Sequence, residues 1–255
     1  MRGEHSFFQA MRNRFRRFLK PRPNDDRKET VLHLAYPGMQ LRVVPVTPIR
    51  QNCSILWDEA TRQAVVVDPG GDADALAQFI QQNALTVDAI LLTHGHLDHA
   101  GGTAPLCRAL AKTQAKPPVV IGPQEEDAFL LSSIENQARH FGIEGLENAQ
   151  VDRYTQDGEQ IQAAGRTFHV RHVPGHTPGH VVFVDQDARV AFVGDTLFRG
   201  TIGRTDFPYG DGDRLIGAIK EKLLPLGDDI VIMPGHGGFS TLGAERQNNP
   251  FLRAG

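Results

Sequence analysis

Four short loops carry the side chains that could do chemistry. Thr93-His94-Gly95-His96-Leu97-Asp98-His99 packs three histidines and one aspartate into six consecutive residues, 94–99. Pro174-Gly175-His176-Thr177-Pro178-Gly179-His180, Gly194-Asp195-Thr196 and Pro234-Gly235-His236-Gly237-Gly238 supply the others. Imidazole mixed with carboxylate, with no thiolate in any of these loops, suits zinc, iron or manganese and not calcium. A single histidine behind a strand is commonly a hydrogen-bonded core or surface residue, and Asp195 or Asp68 alone could cap a helix or shape a turn. The 94–99 cluster has no such packing explanation and reads as a metal-binding loop. Neighbouring side chains in a turn diverge, so one tight loop can feed two metal sites. Asp68 and His180 are candidates for orienting metal-binding imidazoles through their second ring nitrogen. His169 and His172 read as plain strand positions.

Such loops need rigid elements behind them. Short apolar runs at 41–46, 54–57 and 64–67 predict successive strands, the last closed by Asp68-Pro69-Gly70-Gly71. A helix over 72–83, with Leu76, Phe79 and Ile80 on one face, leads to a buried strand at 89–92 that runs into the histidine cluster. A helix near Thr103, a strand at 119–121 and a longer helix between Pro123 and Phe141 follow. Strands are expected at 168–173, 181–184, 190–193 and 230–233, with a helix over 213–224. Strands and helices interspersed from both halves fit a four-layer αββα sandwich better than a strictly alternating doubly wound sheet.

The chain has 255 residues, 40% hydrophobic and 22% charged, which suits one globular domain with a short appendage. A formal net charge of -3 gives no global attraction to nucleic acid, and none is expected as a partner. Cys53 and Cys107 lie in no paired or metal-knuckle spacing, so a reducing cytoplasm is the expected location. Residues 1–38 differ from the catalytic body at 39–255. Arg12, Arg14, Arg16, Arg17 and Lys20 cluster there, while Phe7, Phe8, Met11, Phe15, Phe18 and Leu19 share one arc at about 100° per residue. That pattern predicts a basic amphipathic helix ending at Pro21, which could touch an anionic membrane surface. Packing of a frayed helix on the body, or translation starting at Met39, is the stronger explanation.

At the loop residues, the sequence resembles the metallo-β-lactamase superfamily from Met39 onward. The resemblance implies that His94, His96 and His176 hold one divalent metal and that Asp98, His99 and His236 hold the second. Asp195 would bridge, with zinc as the first choice of metal and iron or manganese as alternatives. Asp195 stands where true β-lactamases commonly carry cysteine, and His96 where flavodiiron proteins carry glutamate. Gln51-Asn52-Cys53, Val67-Asp68-Pro69-Gly70-Gly71, Gly203-Arg204-Thr205-Asp206-Phe207-Pro208 and the tail Ser240-Thr241-Leu242-Gly243-Ala244-Glu245-Arg246 narrow this to short YcbL-type glyoxalase-II-like hydrolases. The implied activity is hydrolysis of a small thioester such as S-D-lactoylglutathione, with Asp98 and Asp195 at the reacting centre. The resemblance is to the short members and not to longer relatives that carry a C-terminal glutathione-gripping domain, so recognition of glutathione by such a domain is not expected. Arg204 matches the region of a basic substrate contact, or else pairs with Asp206 or Asp211. Two metals would bring the pKa of a shared water toward about 7, and a thiolate of pKa about 8.5 leaves without help. A persulfide dioxygenase using one iron on His94, His176 and Asp195 is the runner-up. Lactone or ester hydrolysis shares the fold, and a metal-binding scaffold is the non-enzymatic alternative.

Overall fold

The computed structural model describes residues 30–32 and 38–253. The arc from Phe7 to Leu19 and its basic face lie outside the described residues.

The central strands are apolar on both faces because each face meets a different layer. In β3 (Gln51–Asp58), β4 (Gln63–Val67) and β5 (Thr86–Leu91), Ile55, Trp57, Ala64, Val66, Val87 and Ile90 face outward onto helices. Leu56, Val65, Val67, Ala89 and Leu91 alternate with them and face inward onto a second sheet. The second sheet mirrors this: Val181 and Phe183 of β9 (Val181–Asp185) and Val190 and Phe192 of β10 (Val190–Gly194) point to the shared interior. Val182, Val184, Ala191 and Val193 face a third core beneath the outer helices. Burial on both faces explains the unbroken hydrophobic runs in the sequence.

Three cores therefore separate four layers, the αββα sandwich. The first sheet runs β1-β2-β3-β4-β5-β6, with β1 (Thr30–Leu32), β2 (Met39–Val46) and β6 (Val119–Ile121). The second runs β14-β13-β10-β9-β8-β7, with β7 (Gln160–Ala163), β8 (Arg166–His172), β13 (Val231–Pro234) and β14 (Ser240–Thr241), and a small ribbon pairs β11 (Leu197–Phe198) with β12 (Thr201–Ile202). Parallel pairing joins β4, β5 and β6 in one sheet and β10 and β13 in the other. The C-terminal ends of β5, β10 and β13, together with the β8–β9 connection, carry the four ligand-bearing loops. Helices α1 (Ala73–Gln82) and α3 (Thr103–Leu110) cover the first sheet, and α2 (Leu97–Ala100) sits inside the histidine cluster. Among the described residues, no helix is long and apolar enough to cross a membrane.

Three expectations are adjusted. Residues 30–32, counted with the extension, pair antiparallel with β2 (Thr30 opposite Val43), so the sheet reaches N-terminal of Met39. The single long helix between Pro123 and Phe141 is instead a 3-10 turn at Glu125–Asp127, α4 (Ala128–Leu131) and α5 (Ile134–Phe141). The break falls at Ser132 and Ser133, whose hydroxyls donate to the carbonyls of Phe129 and Leu130 at 3.2 and 3.1 Å and compete with helical hydrogen bonding. The helix expected over 213–224 is regular only in α6 (Gly212–Ala218), capped by Asp211 accepting from the Arg214 N–H at 2.9 Å. It then widens to a π turn at Ile219–Leu223 ahead of Pro225.

Candidate metal centre

The histidine cluster splits because its backbone changes conformation midway. His94, Gly95 and an extended His96 form the loop after β5, whereas Asp98 and His99 lie in the first turn of α2. The two pairs therefore aim in different directions. His94 Nε2 and His176 Nε2 each lie 3.0 Å from His96 Nδ1, so three imidazole nitrogens converge on one point. On the other side, His236 Nε2 is 3.1 Å and His99 Nε2 3.8 Å from Asp98 Oδ2, a second convergent set. Asp195 stands between them: Oδ1 is 3.3 Å from His99 Nε2, and Oδ2 is 3.7 Å from both His176 Nε2 and His236 Nε2. The structure thus brings all seven residues together.

Hydrogen bonds on the outer sides of the rings fix which nitrogen faces the centre. His176 Nδ1 meets the Arg204 carbonyl at 2.8 Å, and a carbonyl can only accept, so Nδ1 carries the proton and Nε2 offers its lone pair inward. Asp68 Oδ2 holds His99 Nδ1 at 2.9 Å in the same way. The same carboxylate accepts the Thr93 hydroxyl at 2.6 Å, and Thr93 Oγ1 in turn meets His94 Nδ1 at 3.1 Å. Asp68 is thus placed to orient two imidazoles, one directly and one through Thr93, as expected of a group behind the ligands. It could be grouped with His94 and His99 as a ligand set, but it meets His99 on the nitrogen facing away from Asp98 and Asp195.

His180 differs from the expectation. It bonds no imidazole nitrogen. Its Nε2 accepts the Asp195 backbone N–H at 3.1 Å, and its ring stacks on His94 with centroids 4.6 Å apart. Arg204 is also placed differently from a free anchor. Its guanidinium pairs with Asp206 at 2.9 Å and lies 4.9 Å over the Phe207 ring, while its carbonyl holds His176. Of the two anticipated partners, Asp206 is the one engaged, and Asp211 caps α6.

The residues fit a pair of metal ions. His99 Nε2 and Asp195 Oδ1 are buried and lack hydrogen-bond partners, although they face each other. A Cβ on Gly235 would come within 2.3 Å of Asp195 Oδ1 and 2.4 Å of His99 Cε1, so only glycine leaves this space clear. The electrostatics are divided. Desolvation, with the neighbouring histidines, pushes His94 well below its ordinary value, and desolvation and His176 push His96 down to about 3. Burial alone would raise the Asp98 carboxyl, but His99 and His236 pull it down to about 2.

Several contributors were not singled out from sequence. Asn52 donates to the carbonyls of Pro234 and Gly237, both at 3.0 Å, and so braces the His236 loop. Tyr209 places its hydroxyl 3.0 Å from His96 Nε2, stacks on Phe207 at 5.3 Å and meets the half-exposed Phe129 edge-on at 5.4 Å. Asp127 is fully buried behind two of the loops.

A family model of the metallo-beta-lactamase superfamily matches residues 46–236, and the chain belongs to that superfamily. Among relatives, it is 45% identical over 217 residues to a hydroxyacylglutathione hydrolase, GloC, of Haemophilus influenzae, covering 85% of this chain and 99% of that one. It is similar to the solved BLEG-1 B3 metallo-beta-lactamase at 34% identity and a TM-score of 0.75, covering 84% of this chain and all of that one. It also resembles TTHA1623, solved in a di-iron-bound form, at 36% identity and a TM-score of 0.71 over 82% and 99% of the two chains.

Proposed function

We propose that the chain is a two-metal thioester hydrolase acting on hydroxyacyl thioesters of glutathione, with S-D-lactoylglutathione as the first substrate to test. The observation that carries this reading is the convergence of seven candidate ligating side chains in a chain 45% identical over 217 residues, 85% of its length, to a hydroxyacylglutathione hydrolase. In this reading His94, His96 and His176 would hold one cation and Asp98, His99 and His236 the other, with the Asp195 carboxylate available to both. Two divalent cations there would supply Lewis-acid activation of a water and of the thioester carbonyl. The protein's own part is to aim imidazole nitrogens inward, with the rings fixed by Asp68, Thr93 and the Arg204 carbonyl. It also shields the site with Phe207 and Tyr209. A thiol leaving group of pKa about 8.5 departs as thiolate, so no protein acid is required.

The test is steady-state turnover of metal-loaded protein on S-D-lactoylglutathione, with a kcat/KM of about 10⁴ M⁻¹s⁻¹ or above expected. Absence of thioesterase activity alongside hydrolysis of a β-lactam would move the assignment toward the chemistry named for BLEG-1. Oxygen uptake with a glutathione persulfide on a single bound iron would move it to a dioxygenase.

Arg204 gives a signed prediction about substrate binding. Its guanidinium lies at the rim of the site but is held by Asp206 across an exposed pair. Arg204→Ala should raise KM about two- to fivefold at nearly constant kcat, the size of an exposed ionic contact. Asp206→Ala frees the guanidinium and should lower KM. Steady-state kinetics on both variants check this; a collapse of kcat in Arg204→Ala at unchanged KM would mark the side chain as structural or specific to the transition state instead.

A further inference from the structure

The loops that carry His94, His96 and His176 come from opposite sheets, and little in the sequence ties one to the other. The tie is Asp127, the last residue of the 3-10 turn Glu125–Asp127, with 0% exposure. Its Oδ2 accepts the Gly95 N–H at 2.9 Å and the Thr177 hydroxyl at 2.7 Å, and its Oδ1 accepts the Gly179 N–H at 2.6 Å. Gly95 lies between His94 and His96, and Thr177 directly follows His176. Each clamped residue is thus the immediate neighbour of an imidazole in the first convergent set, or two positions from Thr177. The turn reinforces the clamp through its backbone, since Gln124 N–H donates to the Gly179 carbonyl at 3.0 Å. The approach is so close that a Cβ on Gly179 would lie 2.7 Å from the Gln124 carbonyl and 2.9 Å from Asp127 Oδ1.

The second convergent set is braced elsewhere, by Asp68 on His99 and by Asn52 on the His236 loop. None of the hydrogen bonds of the Asp127 carboxylate reaches Asp98, His99 or His236. A carboxylate with three donors is a stiff buried support, because each of its bonds is charge-assisted and leaving any of these donors unpaired in the interior carries a desolvation cost.

We infer that Asp127 is a positioning residue for one half of the centre: it clamps the His94–His96 and His176 loops together and so sets metal affinity at the three-imidazole site, but not at the site of Asp98, His99 and His236. The inference rests on the two-metal reading above. It is tested apart from catalysis, by zinc binding in two single-site backgrounds. His236→Ala leaves the three-imidazole site as the intact half, and His176→Ala leaves the other. Asp127→Asn preserves size, but an amide cannot accept from all three donors, so at least one N–H is left facing an NH₂ group. In the His236→Ala background, Asp127→Asn should raise the zinc Kd about 10- to 100-fold, as loss of a ligand-supporting carboxylate does elsewhere. In the His176→Ala background the Kd should stay within about twofold.

Thr177→Val, which keeps the carboxylate and both backbone bonds, should give a smaller change in the same direction and serves if Asp127→Asn does not fold. Equal weakening in both backgrounds, or none in His236→Ala, would overturn the inference and leave Asp127 a general stabilising residue. Failure of the unsubstituted protein and of both backgrounds to bind zinc would overturn the two-metal reading, and the inference with it. Binding by the parents with no selective change on Asp127→Asn would overturn the inference alone.

Discussion

Asp195→Asn is expected to lower kcat/KM for the proposed thioester substrate by at least about 10²-fold. Among the described residues, Asp195 is the carboxylate that faces both convergent sets, with Oδ1 near His99 and Oδ2 near His176 and His236. The substitution keeps the volume and leaves untouched the Asp195 backbone N–H bonded to His180. It replaces one anionic oxygen by an amide NH₂ whose lone pair is not available to a cation, and it removes the negative charge that would offset the proposed pair of cations. Metal content should therefore fall below the two ions per chain expected of the parent. His96→Ala should act on the same scale, because its Nδ1 is 3.0 Å from both His94 Nε2 and His176 Nε2. Kinetics with elemental analysis decide the matter: near-normal turnover in a folded, metal-free Asp195→Asn protein would remove the metal mechanism altogether.

What the sequence made legible follows from how much context each signal needs. The runs at 64–67, 89–92, 181–184 and 190–193 are readable because both faces of the strands are buried there, so no polar residue interrupts them. β7 is hidden for the opposite reason: its exposed Gln160 and Gln162 alternate with Ile161 and Ala163 on an edge, and four such residues look like a loop. The ligand cluster is dense enough to stand out locally. Its supports are not. Asp127 ends the acidic run Glu125-Glu126-Asp127, which in one dimension reads as a solvated helix start; only the packing of two remote loops against that turn reveals a buried carboxylate. Tyr209 reaches His96 across 113 positions, and His180 acts through the backbone of Asp195. Contacts of that kind depend on the crossing of sheets and leave no spacing pattern.

Mild acid should empty the centre one half at a time. In the metal-free protein, desolvation lowers His94, His96 and His176, with His96 down to about 3, so these imidazoles are neutral at pH 7 and their inward lone pairs are available. His99 and His236 are also desolvated, but Asp195 and Asp98 outweigh burial and raise both above the ordinary imidazole range. Those two rings keep their second proton to higher pH than an ordinary imidazole, on or beside the nitrogens a cation must take. A raised folded pKa means the protonated pair stabilises the empty protein below the ordinary value, and that this contribution is lost as pH rises through the raised one. Metal must displace those protons, so its apparent affinity at the His99–His236 half weakens as pH falls. The three-imidazole half, whose pKa values lie below the ordinary imidazole range, meets such competition only at lower pH. At neutral pH, calorimetric zinc titrations in buffers of different ionisation enthalpy should show proton release for one equivalent and little for the other. Dialysis near pH 5.5, about one unit below the ordinary histidine pKa, should leave about one ion per chain, with thioesterase activity lost and restored by zinc at neutral pH. Simultaneous loss of both ions, or equal proton release for each, would show that the two halves titrate as one unit and that this division of charge does not govern loading.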